Sequence, residues 1–305
     1  MRAARTYTLA LVCLGLGLSL VGCSVVEQGV NVLNQTGQIS DKDKDTLLKT
    51  GEALRSTFAD IKEEEEYYIG RAVAALILSK YSVYNNDSLT QYVNIVGNSL
   101  ALYSNRPEIY AGYHFLILDT EELNALAAPG GMIFITKGLL RRCKDEDTLA
   151  LVLSHEIGHV CAKHGLQAIK KSRLLDVFKI LGSEAAQRFA PAQLSQLTAI
   201  FENVLADIVG QLIERGYDRK YEYEADKLAV TFGAKTAYDP DGITRFLQTM
   251  VGDTSSAAGK GWFRTHPTPE QRIDKLKAEI AGLSSVPKLE NVRTLRFKQY
   301  FSSLR

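Results

Sequence analysis

The chain has 305 residues, 46% of them hydrophobic and 23% charged, with only seven prolines, which excludes disorder and collagen and suits one large globular domain with or without an appendage. Thirty-six basic side chains against 35 acidic ones give a net charge of +1, so no sequence-wide positive field exists and nucleic acid is not an expected partner. Four scattered cysteines without a CxxC pair exclude a disulfide scaffold or a thioredoxin-like centre.

Arg2 and Arg5 precede an apolar run from Leu9 to Val21, charged first and hydrophobic second as a secretory signal is. The run is short of the roughly 20 residues needed to cross a bilayer. Leu20-Val21-Gly22-Cys23 resembles the lipobox at which bacterial lipoproteins are acylated on the cysteine and cut before it. That resemblance implies a signal peptide over residues 1–22 and a membrane anchor of acyl chains on Cys23, stable where a single chain would be marginal. Ser24 in place of Asp resembles lipoproteins sorted to the outer membrane, so the expected location is that membrane, facing the periplasm. Removing residues 1–22 takes away Arg2 and Arg5 and no acid, leaving 34 basic against 35 acidic side chains, a net of −1. Cys143 and Cys161 would then lie in an oxidising compartment that permits a disulfide. On one straight helix they would be about 27 Å apart, so a bond requires a bend near Asp145, and the sequence leaves the pair open.

Residues 23–40 are rich in Gly, Asn and Gln without periodicity and suit a tether. From Asp41 to Tyr81 the pattern is helical, with Glu63 to Glu66 suited to a first turn, where negative charge complements the helix dipole. Asp87 to Ser104 is a second amphipathic helix, with Leu89, Val93, Val96 and Leu100 on one face. The β-signal is confined to His114–Asp119 and Met132–Thr136, with Pro129-Gly130-Gly131 as a turn between them. Helical patterns follow over roughly 145–166, 172–190, 191–213, 219–234, 239–251 and 267–283. Alternation at Leu295, Phe297, Gln299 and Phe301 is a weak strand signal in the tail from Lys288 to Phe301. The expected architecture is α+β, mostly helical, with a small sheet, a main domain over residues 41–285 and a C-terminal extension over 286–305.

His155-Glu156-Ile157-Gly158-His159 lies in the apolar helical stretch of Leu149, Leu151, Val152 and Leu153. Four residues advance about 400° on a helix, which leaves His155 and His159 about 40° apart on one face, able to meet one metal ion. Glu156 flanks that ion without ligating it, the place of a base acting on water. A third ligand must come from elsewhere. His164 does not fit an extended HExxHxxGxxH pattern, because Ala162 stands where the glycine would be and the histidine comes one residue early, and in a continuing helix it points away from His155. It reads as a surface or core histidine. Glu222 and Asp226 are spaced i, i+4 on one face, beside Ala225 and Ala229, which are small enough for close approach to another helix. Glu222 reads as the third ligand and Asp226 as an acceptor that fixes a ligating histidine, while Glu224 points the other way.

These blocks resemble the metallopeptidases related to the CAAX prenyl protease and the heat-shock protease HtpX, in particular their bacterial periplasmic lipoprotein branch. The resemblance runs from about Glu65 to about Ile273 and includes Ile69-Gly70-Arg71, Asn124-Ala125, Pro129-Gly130-Gly131, Gly138-Leu139-Leu140, His155 to Val160, Glu222 to Asp226 and Thr265-His266-Pro267 with Arg272-Ile273. It implies a zincin-like domain with one zinc per chain held by His155, His159 and Glu222, with Glu156 catalytic and Asp226 behind the ligands. Leu126-Ala127-Ala128 stands where the family often has a large residue, and the tail after Ser284 has no counterpart in it.

Three protein ligands leave one position for water, whose pKa zinc lowers from about 15.7 to about 7, and Glu156 would carry the proton from that water to the leaving amine. The expected function is a cell-envelope endopeptidase acting on unfolded or misfolded envelope polypeptides. Met132, Ile133, Phe134 and Ile135 read as a candidate edge strand for pairing with an extended substrate, or as an ordinary core strand. His266 resembles the family's third histidine block and fits either an oxyanion donor or an occupant of the fourth zinc position. Arg272 is a weaker candidate for the same anion, with a salt bridge as the alternative. The expected partners are polypeptide substrates and, through Cys23, the membrane; assembly partners in the envelope are not named by the sequence. The other class considered is a noncatalytic envelope chaperone or assembly factor that retains the zinc site, against which the intact Glu156 argues.

Overall fold

The computed structural model describes residues 61–170, 205–207, 209, 210, 212, 213, 216–251, 268–283 and 290–304. The expected signal peptide, Cys23, the tether, the first helix before residue 61, the helix over 172–190 and His266 lie outside the described residues. Ile61–Arg305 form one unit.

Helix α1 (Glu63–Lys80) opens with four glutamates in its first turn and buries Ile69, Val73 and Ile77 along one face. Glu66, in the same turn, faces inward. Arg106 donates to both of its carboxylate oxygens at 3.0 and 3.1 Å, and the Gly130 amide donates to Oε1 at 3.3 Å. Helix α2 (Asp87–Ala101) starts where Asn86 Oδ1 accepts from the Leu89 amide at 3.0 Å.

Among the described residues the sheet has three strands, β1 (His114–Leu118), β2 (Ala125–Ala128) and β3 (Met132–Thr136), in the order β1-β3-β2. β1 runs parallel to β3 with Phe115 opposite Ile133, and β2 runs antiparallel with Ala127 opposite Ile133. Gly130 (φ 70°) and Gly131 (φ 87°) make the reversal between β2 and β3, a conformation that a Cβ would strain. One face of the sheet, with Phe115, Ile117, Ile133 and Ile135, packs with α2 and the metal-site helix; the other, with Leu118 and Phe134, packs with α1.

This order corrects the edge-strand expectation. Met132, Ile133, Phe134 and Ile135 belong to β3, which is hydrogen-bonded on both sides, so their backbone is not available to a substrate. The edge facing the metal-site helix is β2, whose Ala-Leu-Ala-Ala sequence carries little β-signal.

After the short helix α3 (Lys137–Arg142), helix α4 (Glu146–Cys161) is capped by Asp145, whose Oδ1 accepts from the Thr148 amide and hydroxyl at 2.6 Å each. Every residue of α4 from Glu146 to Val160 is buried, so it is a core helix enclosed on all sides. The expected continuous helix over 145–166 is broken: Lys163 takes φ 56°, and a new helix α5 starts at His164 (His164–Lys170). Further along, the described residues include helices α6 (Arg219–Lys235), α7 (Asp241–Gln248), α8 (Pro269–Ala281) and α9 (Glu290–Phe301).

Helix α9 replaces the weak strand expected in the tail. The alternation at 295, 297, 299 and 301 competes with a helical set, and the helix wins because Arg293 and Phe297, four residues apart, turn inward while Leu295 stays exposed. Arg293 pairs with Asp147, and Arg296 Nε donates to Glu146 at 2.7 Å, so α9 clamps the start of the metal-site helix. Tyr92 and Tyr238 hydroxyls donate to the same buried Glu146 at 2.7 and 2.9 Å. Cys143 and Cys161 are both free thiols.

Candidate active site

Helices α4 and α6 cross with almost no side chain between them. A Cβ on Gly158 would lie 3.1 Å from the Ala225 carbonyl oxygen, and Ser154 Oγ donates to the Ala229 carbonyl at 3.0 Å. The small residues at 158, 225 and 229 therefore let the two backbones approach until a glutamate on α6 reaches the histidines on α4.

The structure brings His155, His159 and Glu222 together, all buried. The two histidine Nε2 atoms are 3.2 Å apart, and the Glu222 oxygens lie 3.5 Å from each of them. Four ligands at about 2.0–2.1 Å around a tetrahedral zinc are spaced about 3.3–3.4 Å from one another, so the three atoms fit one zinc ion. The donor set, two imidazoles and one carboxylate, is that of a catalytic rather than a purely structural zinc site.

Asp226 stands behind the first ligand, with Oδ1 3.0 Å from His155 Nδ1. Arg272, fully buried, donates to both Asp226 oxygens at 2.8 and 2.6 Å. Arg272 is thus turned to the carboxylate behind the ligand, in the salt bridge that was the alternative to an anion-binding role. Burial and Arg272 act to lower the His155 pKa, but the hydrogen bonds and charges of Asp226 and Glu222 outweigh them and raise it to about 9 in the metal-free protein. Burial works against the Asp226 carboxylate, yet Arg272 and His155 hold its pKa below the usual range.

Glu156 faces a cleft lined by Asn124, Ala125, Ala127, Tyr217 and apolar side chains of α1. Its Oε1 is buried without a hydrogen-bond partner, an acceptor turned toward the place where a reacting water would sit. Burial pushes the Glu156 carboxyl up to about 7, with Glu222 adding to the rise and His155 and Arg272 opposing it. On β2 the backbone of Asn124 turns inward, its carbonyl accepting from the Thr136 amide at 3.0 Å, so by strand alternation Ala125 and Ala127 turn their amide and carbonyl groups toward the cleft. The Tyr217 hydroxyl donates to the Ala127 carbonyl at 3.2 Å, and its ring stacks on His159 with centroids 4.4 Å apart.

Sequence reasoning left three residues outside the site that belong to it. His164 is fully buried and lies 2.9 Å from His159, Nδ1 to Nδ1, because the reversal at Lys163 folds it back over the last turn of α4. Glu224 does not point away: its Oε2 is 3.3 Å from His164 Nε2. No spacing rule signals this, since it depends on one positive φ. Tyr217 likewise precedes α6 and carries no motif of its own.

A mostly helical α+β domain with a small sheet, a buried helix carrying the two histidines and a glutamate from a second helix defines a zinc metallopeptidase of the zincin-like kind. Residues 87–280 match the sequence profile of peptidase family M48, and the chain belongs to that family of zinc metalloendopeptidases. It is similar to the beta-barrel assembly-enhancing protease of Escherichia coli (strain K12), 28% identical over 234 residues that cover 75% of this chain and 46% of that protein. It is also similar to the mitochondrial metalloendopeptidase OMA1 of Schizosaccharomyces pombe (strain 972), 26% identical over 227 residues covering 73% of this chain and 63% of the relative. The human mitochondrial metalloendopeptidase OMA1 is 27% identical over 184 residues, 57% of this chain and 35% of its own length. The chain spans about half the length of the beta-barrel assembly-enhancing proteases that it matches.

Proposed function

We propose that this chain is a zinc-dependent endopeptidase of the cell envelope that cleaves unfolded or misfolded polypeptides there, with Glu156 as its general base. The observation that carries the proposal is the convergence of His155, His159 and Glu222 on one metal position, beside a buried Glu156 Oε1 and an outward-turned strand edge. Zinc held by those three residues supplies Lewis-acid polarisation of water and of the scissile carbonyl.

Glu156 takes a proton from the attacking water as its oxygen bonds to the carbonyl carbon. The carboxyl then gives that proton to the departing amine nitrogen as the C–N bond breaks, and no covalent enzyme intermediate forms. In the metal-free protein burial raises the Glu156 pKa above the usual carboxylate range, the direction that favours a group able to take up a proton and pass it on. Ala125 and Ala127 on β2 offer the backbone groups with which an extended substrate pairs, in place of the β3 residues. Such pairing reads backbone more than side chains, which supports an unfolded chain as substrate. His266, outside the described residues, is proposed as an oxyanion donor or an occupant of the fourth zinc position.

The signal-like start and Cys23 support a lipid anchor in the outer membrane facing the periplasm. Among the described residues no helix is long and apolar enough to cross a membrane. The E. coli relative is named for enhancing β-barrel assembly, which supports polypeptides destined for β-barrels among the substrates.

The test is cleavage of casein by the full chain in detergent, beside Glu156→Gln. The proposal expects zinc in both and cleavage by the wild type alone. Zinc in both without cleavage by either would favour the noncatalytic envelope factor.

A further inference from the structure

His155 and His159 both turn Nε2 toward the metal position, so each needs a partner at Nδ1 to hold its ring and its tautomer. For His155 that partner is Asp226, fixed in turn by Arg272. For His159 it is His164, at 2.9 Å between the two Nδ1 atoms, and Glu224 Oε2 lies 3.3 Å from His164 Nε2 on the far side. His164 is fully buried, tilted against the rings of Tyr217 and Tyr221 at centroid distances of 5.9 and 4.4 Å, which leaves its imidazole little room to rotate.

The protons have one consistent arrangement. A His159 that ligates through Nε2 carries its proton on Nδ1 and donates to His164 Nδ1. His164 must then carry its own proton on Nε2, which donates to the Glu224 carboxylate. We infer that His164 and Glu224 form a second positioning relay, parallel to Asp226 and Arg272, that fixes the tautomer and ring orientation of His159 and so sets zinc affinity. The relay runs from a buried ligand to a carboxylate whose side chain is 56% exposed, so its outer member can be changed without opening the core.

The inference rests on the metal site proposed above, and the experiment separates the two. Zinc dissociation constants are measured by competition with a chelator of known affinity on the full chain in detergent, for the wild type, His164→Phe, His164→Asn and Glu224→Gln. Thermal midpoints of the metal-free proteins are recorded alongside. The relay predicts that His164→Phe weakens zinc by about 10- to 100-fold. It predicts that His164→Asn, which keeps an acceptor oxygen near the Nδ1 position, recovers most of that loss, and that Glu224→Gln weakens zinc several-fold with an unchanged midpoint. Should His164→Phe fail to fold, Glu224→Gln still decides. Zinc binding within twofold of wild type in Glu224→Gln and in every folded His164 variant would overturn the relay alone, and a wild type that binds no zinc would overturn the metal site with it.

Discussion

Gly158 on the metal-site helix meets Ala225 on the helix that brings Glu222, and a Cβ at 158 would stand 3.1 Å from the Ala225 carbonyl oxygen and 3.2 Å from its Cα. The distance from Glu222 to the histidines is therefore set by the absence of one methyl group. Gly158→Ala adds that methyl and must push α6 outward by a few tenths of an ångström. Overpacking of this kind costs about 1–3 kcal/mol. The expected outcome is a lower melting temperature of the metal-free protein together with roughly tenfold weaker zinc binding. A variant with unchanged affinity would mean that the helices do not share the ligand set.

Arg272 and Asp226 are fully buried and nearly so, joined by two hydrogen bonds. Removing one partner of a buried pair costs up to about 3–5 kcal/mol, here less than the full amount because Asp226 keeps His155 as a partner. Arg272→Met should therefore destabilise by that order in urea unfolding. It should also weaken zinc, because Asp226 loses what holds it against His155. If Arg272 instead served the reaction's anion alone, stability would stay within experimental error and only turnover would fall.

The pH dependence of metal binding follows from His155. A pKa raised to about 9 in the metal-free protein leaves this residue protonated at neutral pH, whereas a ligand must be neutral. Zinc binding at pH 7 should release about one proton from it, and affinity should rise as pH rises toward 9 and level off above. Calorimetry in buffers of different ionisation enthalpy reads the proton count. No release at pH 7 would contradict the Asp226–His155–Glu222 clamp.

Tyr217 donates to the Ala127 carbonyl, one of the acceptors that an incoming substrate strand would use. A net hydrogen bond of about 0.5–1.5 kcal/mol must then be exchanged on binding. Tyr217→Phe keeps the ring on His159 and frees the carbonyl, so KM for an unfolded substrate should fall about two- to tenfold with kcat little changed. A fall in kcat at constant KM would make the hydroxyl a donor to the reacting centre.

Much of this site is written in local spacing. The four-residue step from His155 to His159 and that from Glu222 to Asp226 each fix a helix face, and small residues at 158, 225 and 229 announce a close crossing. What the sequence hides depends on tertiary arrangement. Strand order decides that β2, a run of small residues, is an edge of the sheet and that β3 is enclosed. Glu66 looks like one more solvated glutamate of an acidic first turn, yet Arg106 and the Gly130 amide draw it into the core. His164 joins the site through the single reversal at Lys163, and α9 is helical because Arg293 and Arg296 find Asp147 and Glu146 on another helix.

The most direct measurement is a zinc titration of the metal-free full chain, with casein cleavage and bound zinc read on the same samples, beside Glu156→Gln. Activity should rise in proportion to bound zinc and level off at about one zinc per chain, while the variant takes up the same zinc and cleaves at least about a hundredfold more slowly. Cleavage that persists without zinc, or a Glu156→Gln variant that retains wild-type turnover, would contradict a zinc endopeptidase with Glu156 as its base.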